Sequence, residues 1–211
     1  MSLNKLLIAL VILICPFLVP NSAQASSISL MAVDNFSQNT STIVSGTNGK
    51  NLGSQNGFGG GGLVDFPFAQ KLGFETGFLF FDRNWSDTNG ANSLVSQTYE
   101  IPAMFKLHFL GAVSLGVGGY YAFNSGNLGE TGTITNSALT YSNYGLNPYD
   151  YGLRGELDFH VPLSMAVNLR IDVAYDYGLS NAATASGNTF NYRSAQILAG
   201  LQFMLGSERH K

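Results

Sequence analysis

The sequence has 211 residues, of which only 11% are charged, against about 25% in a typical soluble domain. Its formal net charge of −3 is mild and gives no basis for nucleic-acid binding or for a polybasic membrane-binding surface. Cys15 is the single cysteine, which excludes an internal disulfide. A fold with so few charges and no disulfide needs other stabilising contacts.

Residues 1–25 carry the features of a cleavable signal peptide. Lys5 provides a positive charge, residues 6–19 form an apolar stretch, and Ala25 ends a small-x-small cleavage sequence. Cleavage there would leave Ser26 as the first mature residue. It would also remove Lys5, so that the thirteen acidic residues outnumber the remaining basic ones by four.

Two other interpretations of this segment are weaker. The apolar stretch is shorter than the ~20 residues of a spanning helix, which argues against a retained membrane anchor. Cys15 suggests lipidation, but Ile14 before it is bulky and Cys15 lies inside the apolar stretch rather than at its end. The sequence therefore predicts a signal peptide over residues 1–25 and one domain over residues 26–211.

In the mature chain the hydrophobic pattern predicts strands and no helix of convincing period. Asp34 interrupts the apolar face of the first strand, and glycines at positions 59–62 dilute the second. Such glycines indicate a bulge or a close approach of two backbones. The eight predicted strands are residues 27–36, 57–66, 72–85, 95–109, 112–124, 149–160, 167–179 and 191–205.

Two of these strands alternate most clearly, because successive side chains of a strand point to opposite faces. In the fourth strand one face carries Tyr99, Ile101, Ala103, Phe105, Leu107 and Phe109, and the other carries Thr98, Glu100, Pro102, Met104, Lys106 and His108. In the sixth, Tyr151, Leu153, Leu157, Phe159 and Val161 oppose Asp150, Arg154, Glu156, Asp158 and His160. An apolar face opposite a charged face favours an all-β barrel that closes on itself in lipid.

The predicted connections alternate between short and long. The short ones are residues 66–71, 110–111 and 161–166, and the long ones, rich in Asn, Ser, Thr and Gly, are residues 37–56, 86–94, 125–148 and 180–190. This alternation is typical of outer-membrane barrels, whose long loops lie outside the cell. An even strand number places both mature termini on the periplasmic side.

Aromatic residues cluster at the predicted strand ends, as a membrane interface selects. Toward the long connections lie Phe36, Trp85, Tyr121, Phe123, Tyr151, Tyr175, Tyr177 and Tyr192, and near the short ones lie Phe66, Phe68, Phe109, Phe159 and Phe203. Aromatic residues are also good strand formers, which explains their number but not their position.

A soluble lipocalin-like barrel is the alternative topology. There Leu153, Leu157 and Phe159 would fill the cavity and the charged face would meet water. The low total charge and the alternating loop lengths argue against it.

Four segments resemble the small bacterial outer-membrane β-barrel proteins, the group with OmpX-like, OmpA-membrane-domain-like and PorT-like barrels. They are YEIPAMFKLHF at 99–109, SLGVGGYYAF at 114–123, DYGLRGELDFHVP at 150–162 and RIDVAYDYGLSN at 170–181. The resemblance implies an eight-stranded antiparallel up-and-down barrel. Members differ widely in role, from adhesion and envelope integrity to accessory work in secretion, so the resemblance implies a location more than an activity.

The inward face holds the residues that could carry chemistry. Charges in a narrow lumen are costly unless paired, so we expect a structural ion-pair network, with a solute path or binding site as the alternative. The candidate residues are Glu75, Arg83, Glu100, Lys106, His108, Arg154, Glu156, Asp158, His160, Arg170, Asp172 and Asp176.

Catalytic, metal and cofactor sites are not predicted. His108, His160 and Ser114 could in principle supply a base and a nucleophile, but no motif surrounds Ser114. The two histidines have no metal-ligand spacing. The glycines of residues 57–62 are followed by neither a Lys-Ser/Thr pair nor a helix, so they do not form a phosphate loop.

The sequence thus predicts an integral outer-membrane protein with a structural, adhesive or envelope-maintenance role in its external loops. A narrow channel for small solutes or ions and a lipid-modifying enzyme are the alternatives. The expected partners are outer-membrane lipid and, during biogenesis, periplasmic chaperones and the barrel-assembly machinery. A closed barrel leaves no strand edge open, so a monomer is expected.

Overall fold

The computed structural model describes residues 26–42, 52–69, 71–87, 92–109, 112–132, 147–182 and 189–205. Within them the chain forms a closed barrel of eight antiparallel strands, in which β8 returns to pair with β1. No helix among the described residues has the length and hydropathy of a membrane span. The strands are β1 Ser26–Thr42, β2 Leu52–Ala69, β3 Leu72–Asp87, β4 Asn92–Phe109, β5 Val113–Gly132, β6 Tyr149–Pro162, β7 Val167–Gly178 and β8 Thr189–Leu205.

The eight predicted strands are confirmed, and the differences lie at their ends. β1 continues to Thr42, β2 begins at Leu52 and β5 continues to Gly132, so the predicted long connections are partly strand. Their Asn and Gly residues are poor strand formers. However, the ladder pairs their backbone groups with those of a neighbouring strand, as β1 does with β8 as far as Thr42.

Other parts of the predicted connections fall outside the described residues, namely residues 43–51, 70, 88–91, 110–111, 133–146 and 183–188. The end of the barrel where β2–β3, β4–β5 and β6–β7 connect is called the short-turn end below. The opposite end is called the long-loop end. β1 begins and β8 ends at the short-turn end, as the even strand number requires.

The two faces of the sheet are as predicted. On the outer surface Phe105 is 63% and Leu153 56% exposed, whereas the neighbouring Lys106 and Arg154 are each 2% exposed in the interior. The lipocalin-like alternative is therefore wrong, because it requires the apolar side chains inside and the charges outside.

The apolar outer surface ends before the strands do. Toward the long-loop end the outward positions become polar, as at Asp82, Asn84 and Gln97. β4 has 18 residues, about 60 Å of strand, whereas the apolar band of a tilted outer-membrane barrel is about 25 Å tall. The strands therefore extend beyond the apolar band at this end.

One member of the predicted aromatic belts is misplaced. Tyr121, Tyr151, Tyr175 and Tyr177 face outward as expected, but Tyr192 is only 1% exposed and lies in the interior. Side chains alternate between the two faces along β8. Because Ile197 faces outward, the even-numbered residues of this strand, including Tyr192, face inward. The side chain of Trp85 lies outside the described residues.

The glycines of β2 allow a close approach to β3. A Cβ on Gly59 or Gly61 would lie 1.9 or 2.2 Å from the carbonyl oxygen of Phe80 or Phe78, respectively. The ladder between β2 and β3 also shifts register between Gln55 and Gly59. The glycine run therefore marks both a bulge and a close backbone approach, as the sequence predicts.

The interior has an apolar part and a charged part. The apolar part is a cluster that lies mainly on β1, β2, β3 and β8, and it comprises Met31, Val33, Leu63, Leu79, Phe81, Ala174 and Leu198. The charged part lies mainly on β3, β4, β6 and β7 and is described next.

Candidate functional site in the barrel interior

All the charged residues predicted to face inward do so. The ten Asp, Glu, Lys and Arg side chains among them are at most 3% exposed, and the two histidines are half-buried. These ten are Glu75, Arg83, Glu100, Lys106, Arg154, Glu156, Asp158, Arg170, Asp172 and Asp176. The alternation of β-strand side chains is sufficient to place them there.

Nearer the short-turn end, two cations hold a set of carboxylates that we call the lower network. Arg170 Nη1 donates to Glu75 Oε2 at 2.5 Å, its Nη2 to Glu156 Oε1 at 3.1 Å and its Nε to Asp172 Oδ1 at 2.8 Å. Lys106 Nζ lies 2.6 Å from Glu156 Oε1 and 3.3 Å from Glu75 Oε1. It also contacts Asp158. The carboxylates are thus shared between an ammonium and a guanidinium.

Nearer the long-loop end lies the upper network. Arg154 Nη1 donates to Glu100 Oε1 at 2.8 Å and to Asp176 Oδ1 at 3.0 Å. Its Nε donates to Glu156 Oε2 at 3.1 Å, which joins the two networks. Arg83 Nη1 donates to Asp150 Oδ2 at 3.2 Å. Arg154 is therefore the side chain that links both halves of the charged interior.

Neutral groups complete the upper network, and the sequence-based candidate list omits them. Tyr120 Oη and Ser180 Oγ donate to the two oxygens of Asp150 at 2.8 and 2.7 Å. Gln196 Nε2 donates to Asp176 Oδ2 at 2.8 Å. Asp150 shows the same alternation as its neighbours on β6, so the period-two pattern already placed it inside. The partnerships of Tyr120 and Gln196 depend on neighbouring strands and had no signal in the sequence.

The guanidinium of Arg83 also lies between two aromatic rings. Its Cζ is 5.7 Å from the ring centre of Phe81 and 4.9 Å from that of Tyr192. A buried cation over an aromatic face is stabilised by the ring quadrupole. Inward-facing Tyr192 therefore supports the upper network rather than the membrane interface.

The charged interior contains more carboxylates than cations. Among the described residues, eight Asp and Glu side chains are buried in the barrel against four Lys and Arg side chains. Two of the eight carboxylates, Asp65 and Asp150, are absent from the list of predicted candidates. Buried charges in a low-dielectric interior need compensation, so this interior favours cations over anions.

Three of these carboxylates could share a cation by distance alone. Ligand oxygens of Glu156, Asp158 and Asp172 lie within 4.8 Å of one another. The ammonium of Lys106 and the guanidinium of Arg170 already contact this group. Protein cations thus already pair with these three carboxylates.

A ring of polar side chains surrounds the short-turn end of the lumen, and we call it the mouth ring. His108 Nδ1 lies 2.9 Å from Ser114 Oγ, which lies 3.5 Å from His160 Nε2. His160 Nδ1 lies 3.0 Å from Gln202 Oε1, and Gln202 Nε2 donates to Ser27 Oγ at 2.9 Å. Asp65 Oδ2 lies 3.6 Å from His108 Nε2.

The mouth ring brings together the side chains considered for catalysis. Asp65, His108 and Ser114 follow one another in the order of an acid, a base and a nucleophile. However, Ser114 is only 2% exposed, and it lies inside a ladder that pairs it with His108 and Asp158. Its neighbouring backbone N–H groups are committed to the sheet and cannot form an oxyanion hole. The geometry favours hydrogen bonding over nucleophilic attack.

Comparisons with known proteins agree with this architecture. A family model described as "Outer membrane protein beta-barrel domain" matches residues 24–184. OprG from Pseudomonas aeruginosa is 13% identical, with 85% of this chain and 95% of that chain covered and a TM-score of 0.49. Neisserial surface protein A is 12% identical, with 87% and 98% covered and a TM-score of 0.50.

A third solved structure, the attachment invasion locus protein Ail of Yersinia pestis, is 12% identical, with 85% of this chain and 99% of that chain covered and a TM-score of 0.47. Identities this low show nothing about the function of this chain. No curated protein matches the sequence significantly.

Proposed function

This chain belongs to the outer membrane protein beta-barrel domain family, and we propose that it has a structural, adhesive or envelope-maintenance role carried by its long loops. In this proposal the barrel is a sealed, membrane-spanning scaffold. The long-loop end faces the outside of the cell and both mature termini lie in the periplasm.

The observation that carries the proposal is an ion pair across the full width of the barrel. Arg170 on β7 reaches Glu75 on β3 at 2.5 Å, and these strands lie opposite each other in a ring of eight. Side chains that meet across the diameter leave no open bore at this level. An eight-stranded barrel is just wide enough for its side chains to fill it.

The position of the polar segments supports a role for the long-loop end. β1 to β5 and β8 extend beyond the apolar outer surface at this end. Short turns at one end and long polar connections at the other are the arrangement of outer-membrane barrels, whose long connections are extracellular. Outer-membrane lipid surrounds such a scaffold, and periplasmic chaperones and the assembly machinery would handle it before insertion. We propose that it is a monomer without a catalytic role.

A narrow cation channel is the second candidate, because the interior has the surplus of carboxylates described above. Its pathway would have to pass the lower network, where Lys106 and Arg170 join the carboxylates of three strands, namely Glu75 of β3, Glu156 of β6 and Asp172 of β7.

Planar-bilayer recording separates the two candidates. The folded protein should give little or no steady conductance, because the ion pairs close the lumen. Arg170→Ala removes the contact across the diameter and should admit a small, cation-selective current. Lys71→Ala, at the exposed turn between β2 and β3, is the control and should behave as the unmodified protein. Large, stable channels from the unmodified protein would contradict the sealed scaffold and support a channel.

The adhesive role needs a separate measurement. Cells that display the protein should bind envelope or surface components better than cells with a variant whose residues 133–146 are replaced by a short Gly-Ser linker. Equal binding by both, with equal amounts of folded barrel, would exclude a role for the longest connection.

A further inference from the structure

A second polar feature lies on the outer surface, away from the barrel interior. In the described part of the chain, four of the six Lys and Arg side chains are buried in the lumen and Lys71 lies at a short turn. Arg193 is the remaining one. It faces outward on β8 toward the long-loop end, opposite Tyr177 of β7.

Arg193 has donors available for a ligand. Its Cζ lies 4.6 Å from the ring centre of Tyr177, and its Nη2 donates weakly to Tyr177 Oη at 3.4 Å. Its Nε is buried and has no hydrogen-bond partner among the described residues, whereas its Nη1 is not among the buried atoms and makes no hydrogen bond to them. Stacking on the tyrosine thus fixes the guanidinium plane while the two N–H groups of Nη1 stay free for an acceptor.

An apolar groove lies on the other side of Tyr177 from this arginine. It has a volume of about 330 Å³ and is lined mainly by Val117, Leu153, Gly155, Tyr175 and Tyr177. Tyr177 therefore forms both the edge of the groove and the support of Arg193. A cavity of about 150 Å³ already binds benzene, so the groove can accept a segment of hydrocarbon chain.

Gly155 creates the groove. It lies between Val117 of β5 and Tyr175 of β7 in the outer surface. A Cβ built on Gly155 would meet nothing within 4 Å. Most other glycines of the barrel differ, because a Cβ there would strike a neighbouring strand, as at Gly59. The missing side chain at Gly155 therefore leaves open space toward the lipid rather than serving a close backbone approach.

We propose that Arg193, Tyr177 and the groove at Gly155 bind one phosphorylated, acylated lipid of the leaflet at the long-loop end. The phosphate lies on the guanidinium of Arg193, since arginine binds phosphate through its planar set of donors. One acyl chain lies in the groove. The position fits this ligand, because arginine and tyrosine at the edge of an apolar band meet head groups while the groove faces the hydrocarbon.

The proposal goes beyond the proposed function and rests on it only for the identity of the leaflet. A second copy of the chain is the other conceivable occupant of an apolar groove. Phosphorylated lipid is favoured because a cation at the band edge is complementary to an anionic head group. The outward carboxylate Asp34 of the neighbouring β1 pairs with Ile197 rather than with Arg193, and Asp82 lies on β3.

Native mass spectrometry of the folded protein in detergent tests the site, with dimyristoyl phosphatidic acid as the probe. We expect one bound lipid per barrel. Arg193→Gln should weaken binding about tenfold through loss of the charged hydrogen bonds. Gly155→Leu should weaken it comparably by filling the groove, and the barrel should still fold because the new side chain meets open space. Lys71→Gln is the matched control and should bind as the unmodified protein does.

Two further probes distinguish the source of the phosphate. Inorganic phosphate and dimyristoylglycerol each supply one half of the ligand, so both should compete poorly with the complete lipid. Full competition by inorganic phosphate, with Gly155→Leu unchanged, would reduce the site to a simple anion contact and overturn the proposal. A dimer whose formation excludes the lipid and is lost in Gly155→Leu would also overturn it. Neither result depends on bilayer conductance. The lipid site can therefore be disproved while the sealed scaffold stands, and the reverse is also true.

Discussion

The two parts of the barrel interior fill the same space with different chemistry. The apolar cluster around Leu79 and Leu198 packs without directional contacts. In the charged part, the single side chain of Arg154 has three carboxylate partners, Glu100, Glu156 and Asp176. Apolar packing tolerates exchanges that preserve volume, whereas a buried charge depends on the partners that neutralise it. Sensitivity to substitution in this interior should therefore follow charge rather than burial.

The largest expected effect is the loss of Arg154. Arg154→Met keeps most of the volume but leaves three carboxylates without their shared cation, which should cost about 3–5 kcal/mol of stability. The temperature at which the compact band on an unboiled gel converts to the unfolded band should fall. Arg154→Lys keeps the charge and should fall less. Equal transition temperatures for Arg154→Met and the unmodified protein would mean that the network does not hold the fold.

A charge placed on the outer surface has no partner to neutralise it and should also destabilise the barrel. Leu157 is on the same strand as Arg154 but faces outward, so Leu157→Arg places an uncompensated cation in lipid at about 2–4 kcal/mol near the midplane. The yield of folded barrel in lipid vesicles should fall. Leu157→Met should insert normally. Efficient insertion of Leu157→Arg would place this face away from hydrocarbon.

The smallest effect is expected in the apolar cluster. Leu198 is fully buried, yet Leu198→Met conserves volume and polarity and should cost under about 1.5 kcal/mol. Its transition on the same gel should stay near that of the unmodified protein. A loss as large as that of Arg154→Met would remove the distinction between the two parts of the interior.

The sequence predicted correctly which side chains face inward, because the alternation of side chains depends only on the strand itself. Alternation places Lys106 inside and Phe105 outside whatever the neighbouring strands do. Tyr192 shows the limit of that reasoning. Its location near a predicted strand end suggested the membrane interface, but its parity relative to Ile197 puts it beside Arg83 in the lumen.

The partners of the inward charges were only partly predictable. Arg170 and Asp172 lie two residues apart on one strand, so their pairing at 2.8 Å follows from alternation. The contact between Arg170 and Glu75 joins opposite walls. It depends on how many strands close the ring and how far each is shifted along its neighbour, because these set the diameter and the height of every side chain.

By itself the sequence determined the number of strands, the side of the sheet on which each charge lies and the alternation of short and long connections, since all three follow from local periodicity and composition. Only the tertiary structure decided that Arg154 joins two networks, that His108 meets Ser114 and that Tyr177 both contacts Arg193 and lines the groove at Gly155. These neighbours come from different strands. Their proximity is fixed by register and closure, which no local pattern encodes.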